Sequence, residues 1–313
     1  MGNTTPCSLQ FLIFVAMKML YHILAVVIVS IWGTTFVSTK VLLSHGLQPA
    51  EIFTMRFLMA YLLLILFSPK RRLWCNNLKD ELKMVGLGIT GGSLYFLTEN
   101  VALEYAPASN VSLLVCTTPL VTILLMRLIY RNEKLSSRTM CGSLIALLGV
   151  ALVVLNGHFV LQLNPKGDIL AIMASLSWAI YTLLLYSVEK SYPNLMITRK
   201  VFGYGLLTIL PWFMLYPPRF SLEILSQSAV WGNLLFLGII ASLVCYATWN
   251  AIVKNIGTTY SSNYLYINPI AATIAASLVL HEKITLAIAL GTALILTGIA
   301  LARTRNSTNK PKA

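Results

Sequence analysis

What most constrains this chain is a succession of apolar runs, each about as long as the 20 residues a helix needs to cross a bilayer. They fall at about 19–40, 49–68, 84–104, 107–128, 139–156, 167–187, 196–216, 229–252, 258–280 and 284–302 of the 313 residues. The widest clear gap, Pro69 to Lys83, is too short for a soluble domain. Hydrophobic residues make up 57% of the chain and charged ones 11%, with a mean hydropathy of +0.77. A soluble domain carries about 25% charged residues. The expected fold is therefore an all-α integral membrane protein with ten transmembrane helices.

The net charge of +13 invites comparison with nucleic-acid binders, but its placement argues otherwise. With the N-terminus inside, 18 of the 23 Lys and Arg residues fall on cytoplasmic segments, and five (Lys40, Arg56, Lys166, Arg219 and Lys283) fall elsewhere. That is the bias that orients membrane proteins, and it places both termini, including a basic tail at 304–313, in the cytoplasm. No nucleic-acid partner is expected. The five cysteines and four histidines are scattered, so neither a disulfide framework nor a metal site is predicted. No Walker motif is present, which sets ATP aside as the energy source. Gly86, Gly88 and Gly91 spell GxGxxG, but inside an apolar run, where no βαβ unit can surround them; no dinucleotide or other cofactor is expected. Gly88 and Gly92 instead have the GxxxG spacing that lets helices approach closely, and Gly142 with Gly149, and Gly291 with Gly298, suit the same purpose. Residues 1–18 are awkward: they would lengthen the first span past one bilayer thickness with Lys18 in its middle. Translation from Met17 or Met19 is one explanation. A cleaved signal peptide is another, although no A-x-A site follows.

The chain repeats itself. Shifted by 150 residues, "YFLTENVALEYAPASNVSLLVCTTP" pairs with "CYATWNAIVKNIGTTYSSNYLYINP", matching Thr98 with Thr248, Asn100 with Asn250, Ser112 with Ser262 and Pro119 with Pro269. At a shift of 149, "NEKL" meets "HEKI"; at 146, Trp32 meets Trp178. Two units result, 19–156 and 167–303, joined by a linker at 157–166. Each holds five spans, and an odd number inverts the second unit in the membrane. Inverted repeats are the usual construction of secondary transporters, with a site near the midplane where the halves meet.

These residues resemble a family. The tryptophan near the start of each half, "ALEYAPASN" leading to a mid-span proline, and "RNEKLSSRTMCGSLIALLGVALV" with its echo "LHEKITLAIALGTALILTGIAL" are similar to the EamA branch of the drug/metabolite transporter superfamily. The resemblance covers about Met19 to Arg303. It implies a transporter of 5+5 inverted helices around a central cavity lined by the first, third and fourth helices of each half. It fixes the substrate only loosely, since that branch includes exporters of amino acids and other small metabolites.

Glu99 is the sole acid well inside an expected span. A charge there costs on the order of 3 kcal/mol and is rarely idle. Helical spacing puts Tyr95, Glu99 and Ala102 on one face, which suits a cavity wall. Two roles are open: Glu99 binds a substrate ammonium or carries the coupling proton, or it pairs with Arg56 and holds helices together. Around it the sequence offers Trp32, Tyr95, Asn100, Ser112, Trp178, Tyr181, Tyr246, Trp249, Asn250, Ser262 and Tyr266 as candidate substrate contacts, the rings suited to an apolar side chain or a cation. Pro119 and Pro269 are candidate hinges, because a mid-span proline frees a carbonyl and kinks its helix. "APASN" reads as a short outside hairpin, with Glu104 near the outer interface; the Asn110 sequon within it is disregarded.

The first expectation is a secondary active transporter of a small, amino-acid-like metabolite, working by alternating access in the export direction, proton-coupled or by exchange. It would sit as a functional monomer in the lipid bilayer of a bacterial inner membrane. A membrane-embedded enzyme acting on a lipid or isoprenoid substrate is the alternative, but its clustered Asp or His residues are missing from the sequence. A receptor or scaffold sits badly with inverted repeats.

Overall fold

The structure is a computed structural model that describes residues 6–67, 74–106, 108–130, 136–155, 164–280 and 286–302. Among these every element is helical. Helix α1 (Pro6–Ser44) is followed by α2 (Pro49–Phe67); α3 (Leu78–Gly88), a π-helical segment (Ile89–Ser93) and α4 (Leu94–Tyr105) run on from one another; then come α5 (Ala108–Val115), α6 (Thr118–Ile129) and α7 (Ser137–Leu155). The second half follows the same succession. It comprises α8 (Pro165–Val188), α9 (Asn194–Leu215), the short α10 (Leu222–Ser226), α11 (Ser228–Leu235) with a second π segment (Phe236–Val244) and α12 (Cys245–Ile256), then α13 (Thr258–Asn263), a 3-10 turn (Tyr264–Ile267), α14 (Asn268–Leu280) and α15 (Leu286–Ala302). Four stretches, Met17–Ser44, Pro49–Phe67, Pro165–Val188 and Ser228–Ile256, are long and apolar enough to cross a membrane. Exposed Leu62, Leu66, Leu207 and Leu290 give the outer faces the character that lipid requires.

Local chemistry sets several boundaries. Asn164 caps α8 by accepting a hydrogen bond from the Gly167 amide, with Pro165 and Asp168 in the first turn, and Asn77 caps α3 in the same way through the Asp80 amide. The first helix starts at Pro6 and is continuous into the expected span, and the runs at 84–104 and 107–128 are interrupted internally, by the π segment and by a break at Cys116 and Thr117. The NEKL and HEKI motifs, Pro107, Lys70, Arg71 and Arg72, residues 156–163 of the linker region and the tail at 304–313 lie outside the described residues.

The halves interleave: α4 packs on α8, α1 on α12 and α14, α3 on α9, and α7 on α15. The tightest of these is glycine against glycine. A Cβ on Gly142 would sit 2.5 Å from the Gly298 carbonyl oxygen, and one on Gly149 would sit 2.6 Å from that of Gly291, so α7 and α15 run antiparallel with their backbones in contact. The GxxxG pair performs as expected too, Gly88 and Gly92 both abutting Gly205 of α9.

Two carboxylates join the halves away from the centre. Glu51, buried in the first turn of α2, accepts backbone hydrogen bonds from Gln48, Arg219 and Phe220. Glu81 accepts from Lys200 Nζ, Tyr204 Oη and the Cys75 amide. Burial of acids is not confined to Glu99: Glu51, at the start of its helix, is 1% exposed, and Glu189, at the end of α8, is buried as well. Glu51 is accommodated because backbone amides at a helix start and an adjoining loop replace its hydration.

Two outcomes are expected. Gly298→Val drives side-chain atoms into the α7 backbone and lowers stability by about 1–3 kcal/mol, read as an earlier thermal transition in detergent. Partial burial pushes Glu81 up, but the Lys200 and Tyr204 hydrogen bonds outweigh it and hold the carboxyl down at about 2, below its ordinary 4.5. A depressed carboxyl stabilises the fold fully above its unfolded value and ceases to as pH falls from 4.5 toward 2. Thermal scans on lowering pH through that window should therefore show a steeper loss in the wild type than in Glu81→Gln.

Candidate functional site: a charged aromatic cavity between the halves

Where the interrupted helices meet, regular backbone pairing is disturbed, and carbonyls there need donors that lipid cannot supply. Side chains of the opposite half supply the donors. Tyr246 Oη donates to the Gly91 carbonyl and Ser177 Oγ to that of Thr90, at 2.8 Å, both in the first π segment. Trp32 Nε1 donates to the Ala241 carbonyl in the second, at 2.9 Å. The prolines act in a similar way. Pro119 cannot bond the Val115 carbonyl, which accepts instead from Thr118 Oγ1 at 2.6 Å; Pro269 cannot bond the Leu265 carbonyl, which accepts from the Asn268 amide in the 3-10 turn and, across the halves, from Cys116 Sγ at 3.8 Å.

These irregular segments enclose a cavity of about 530 Å³ of atom-free space, its mouth included. Trp32, Thr35 and Phe36 of α1, Arg56 of α2, Tyr95, Phe96 and Glu99 of α4 and Trp178 of α8 form one part of its wall. Tyr246 of α12 and Val115, Cys116, Thr118, Leu265 and Asn268, from the two proline breaks, complete it. The matched tryptophans meet edge to face at 5.5 Å, and Trp178 also packs on Tyr95 at 4.8 Å and Tyr246 at 5.6 Å. Two opposite charges face this cavity. Glu99, 8% exposed, accepts from Tyr95 Oη at 2.7 Å, as the i, i+4 spacing requires. Arg56, 2% exposed, donates from Nε to Ser242 Oγ at 2.9 Å and lies 4.4 Å over the Phe96 ring. No direct ion pair joins the two; the ion pairs found among the described residues are Lys83 with Asp80 and Lys200 with Glu81. The Arg56 partner weighed for Glu99 from sequence is therefore a cavity neighbour, with Tyr95 in the bonding position.

Of the twelve candidate contacts, Trp32, Tyr95, Glu99, Trp178 and Tyr246 line the cavity. Trp249 and Tyr181 stand behind it, packed on Trp32 at 5.2 Å and Trp178 at 5.0 Å. Asn250 ties Tyr181 to Thr198, and Asn100 ties α4 to the Pro49 carbonyl at 3.2 Å. Ser262 donates to its own helix at Thr258, and Ser112 and Tyr266 are buried off the cavity wall. Both candidate hinges adjoin the breaks that line it. Arg56, Phe96, Thr118 and Asn268 were not among the candidates. Thr118 and Asn268 each precede a matched proline, a signal that would have found them.

A helical membrane fold wrapped around a charge-bearing aromatic cavity suits a membrane protein that handles small solutes. The sequence profile of the EamA-like transporter family matches twice, over residues 19–155 and 165–304, and this chain belongs to that family. An uncharacterised transporter of Archaeoglobus fulgidus is 27% identical over 90% of this chain and 96% of its own length. Proteins named "Probable amino-acid metabolite efflux pump" in Escherichia coli and Salmonella typhimurium are each 25% identical, covering 88% of this chain and 92% of theirs. A solved crystal structure superposes with a TM-score of 0.73 over 92% of this chain and 96% of that one, at 19% identity, and shares the fold.

Removing one cross-half donor should destabilise the centre. Tyr246→Phe leaves the Gly91 carbonyl buried without a partner, at a cost of about 1–3 kcal/mol, seen as a lowered thermal transition in detergent that Tyr21→Phe, on α1, does not reproduce.

Proposed function

We propose that this protein is a secondary active transporter that exports a small, amino-acid-like metabolite by alternating access. In this reading ten helices cross the membrane as two inverted repeats of five: α3 with α4, α5 with α6, α11 with α12, and α13 with α14 each count as one crossing. Both termini face the cytoplasm of a bacterial cell, and one chain forms the complete pathway. The matched succession of elements in the two halves, the double family match and the distribution of Lys and Arg support this arrangement.

The observation that carries the function is the cavity at the junction of the halves, floored by buried charges and walled by the two proline breaks. Broken helices at such a position supply both a binding wall and a place where one half rocks against the other, with Pro119 and Pro269 as hinges. Trp32, Tyr95, Glu99, Trp178 and Tyr246 contact the solute; Tyr181, Trp249 and Asn250 hold those rings in place from behind. Glu99, on the cavity wall and bonded to a phenol, is the coupling carboxylate: it exchanges a proton for the solute as access alternates. The printed names of the Escherichia coli and Salmonella typhimurium relatives support the amino-acid class.

Flux of labelled amino acids into proteoliposomes, with and without an imposed pH gradient, tests this. Wild type is expected to accumulate at least one amino acid in response to the gradient, and Glu99→Gln to lose that response while retaining exchange of the same solute. A Glu99→Gln protein as gradient-responsive as wild type removes Glu99 from coupling, and a wild type that moves none of the panel removes the amino-acid assignment.

A further inference from the structure

Arg56 and Glu99 present an unusual electrostatic situation. Each is almost fully withdrawn from water, each borders the same cavity, and neither neutralises the other by direct contact. Arg56 spends its Nε on Ser242; among the described residues its two terminal nitrogens make no hydrogen bond to protein. Glu99 likewise has one oxygen bonded to Tyr95 and the other without a donor among those residues. Buried charges of this kind are stable in company with counter-charges and hydrogen-bond partners, and costly alone. The ring of Phe96 beneath the guanidinium shields one face of it and leaves the edge as the route of approach.

We infer that Arg56 is a specificity-determining residue that binds the α-carboxylate of a zwitterionic amino acid whose α-ammonium group is held by Glu99 and the face of the Trp32–Trp178 pair. This rests on the transport reading above and names the solute class for the same cavity. Charge balance selects among solutes. The cavity carries one positive and one negative group, so a solute with one of each, separated by a single carbon, enters without changing the net charge of the buried site. A simple cation leaves Arg56 uncompensated and adds a second positive charge; a simple anion does the same to Glu99. Guanidinium geometry favours a planar carboxylate held through two parallel hydrogen bonds, and the aromatic wall favours an ammonium on one side and an apolar side chain on the other. Ser242 in the second π segment positions Arg56 through its hydroxyl, so that a side chain of the first half is aimed by a side chain of the second.

The test is binding rather than flux, so that its failure is separable from failure of the transport reading. Ligand-induced thermal stabilisation of the purified full-length protein is measured with four probes of one side chain: L-phenylalanine, its amide, its N-acetyl derivative and phenethylamine. Wild type is expected to bind the zwitterion about tenfold or more tightly than the other three, the scale of one charged hydrogen bond. Arg56→Gln is expected to lose that preference by weakening L-phenylalanine while the cationic amide binds at least as well as before; retained amide binding also certifies its fold. Glu99→Gln is expected to weaken L-phenylalanine and to strengthen the N-acetyl derivative, whose charge no longer meets that of Glu99. The assignment is overturned if the amide binds wild type as well as the zwitterion, if Arg56→Gln weakens both equally, or if none of the four stabilises the protein. Binding with the expected pattern in a protein that moves no amino acid overturns the transport reading and leaves the Arg56 assignment standing.

Discussion

The centre of this protein depends on the pairing of backbone carbonyls that regular helix geometry would have satisfied and that π turns and prolines release. In hydrocarbon an unpaired carbonyl costs several kcal/mol, so helix breaks survive only where donors are built in. Here the donors are largely borrowed. Trp32 and Cys116 donate to the second half, Tyr246 and Ser177 donate to the first, and at the two proline breaks Thr118 and the Asn268 amide add local donors. Each half contributes side-chain donors to the backbone of the other at the centre. Assembly of the two halves is therefore a condition of having the broken helices at all, and the broken helices are a condition of having the cavity.

The same constraint explains why the cavity is both aromatic and charged. A donor that must reach across a helix interface is long and rigid, which favours tyrosine and tryptophan. Once Trp32 and Tyr246 are anchored by their polar tips, their ring faces are turned to the space between the halves, where Trp178 and Tyr95 join them. Arg56 is held by Ser242 of the opposing π segment and Glu99 by the phenol four residues before it. Pre-positioned charges in a site with little water act at close to their full electrostatic strength, which suits recognition of a small polar solute.

Much of this was legible in the sequence, and the limits were physical. Apolar run length located the helices, because a bilayer sets a fixed thickness; it could not reveal the π segments, since Ile89–Ser93 and Phe236–Val244 have the composition of ordinary membrane helix. Helical spacing placed Tyr95 beside Glu99 correctly, because i, i+4 contacts are local. The converse failure concerns Arg56, weighed only as a partner for Glu99: whether two buried charges on different helices touch depends on packing that no local pattern encodes. Asn100 and Asn250 matched between the halves, yet each bonds elsewhere, to Pro49 in one case and to Tyr181 and Thr198 in the other. Correspondence in a repeated sequence marks equivalent positions in the chain, and the surroundings of those positions differ because helices α2 and α8 do.

The glycine contact between α7 and α15 carries a consequence of another kind. Gly142 lies on Gly298 and Gly149 on Gly291, whereas the sequence shift of 149 equates Gly142 with Gly291 and Gly149 with Gly298. Each glycine therefore touches the counterpart of the other, which is the rule that defines a two-fold, self-complementary patch. A surface of that kind fits a second copy of itself. At this seam the chain presents such a patch to itself, the spacing of the two glycines on α7 matching that of the two on α15.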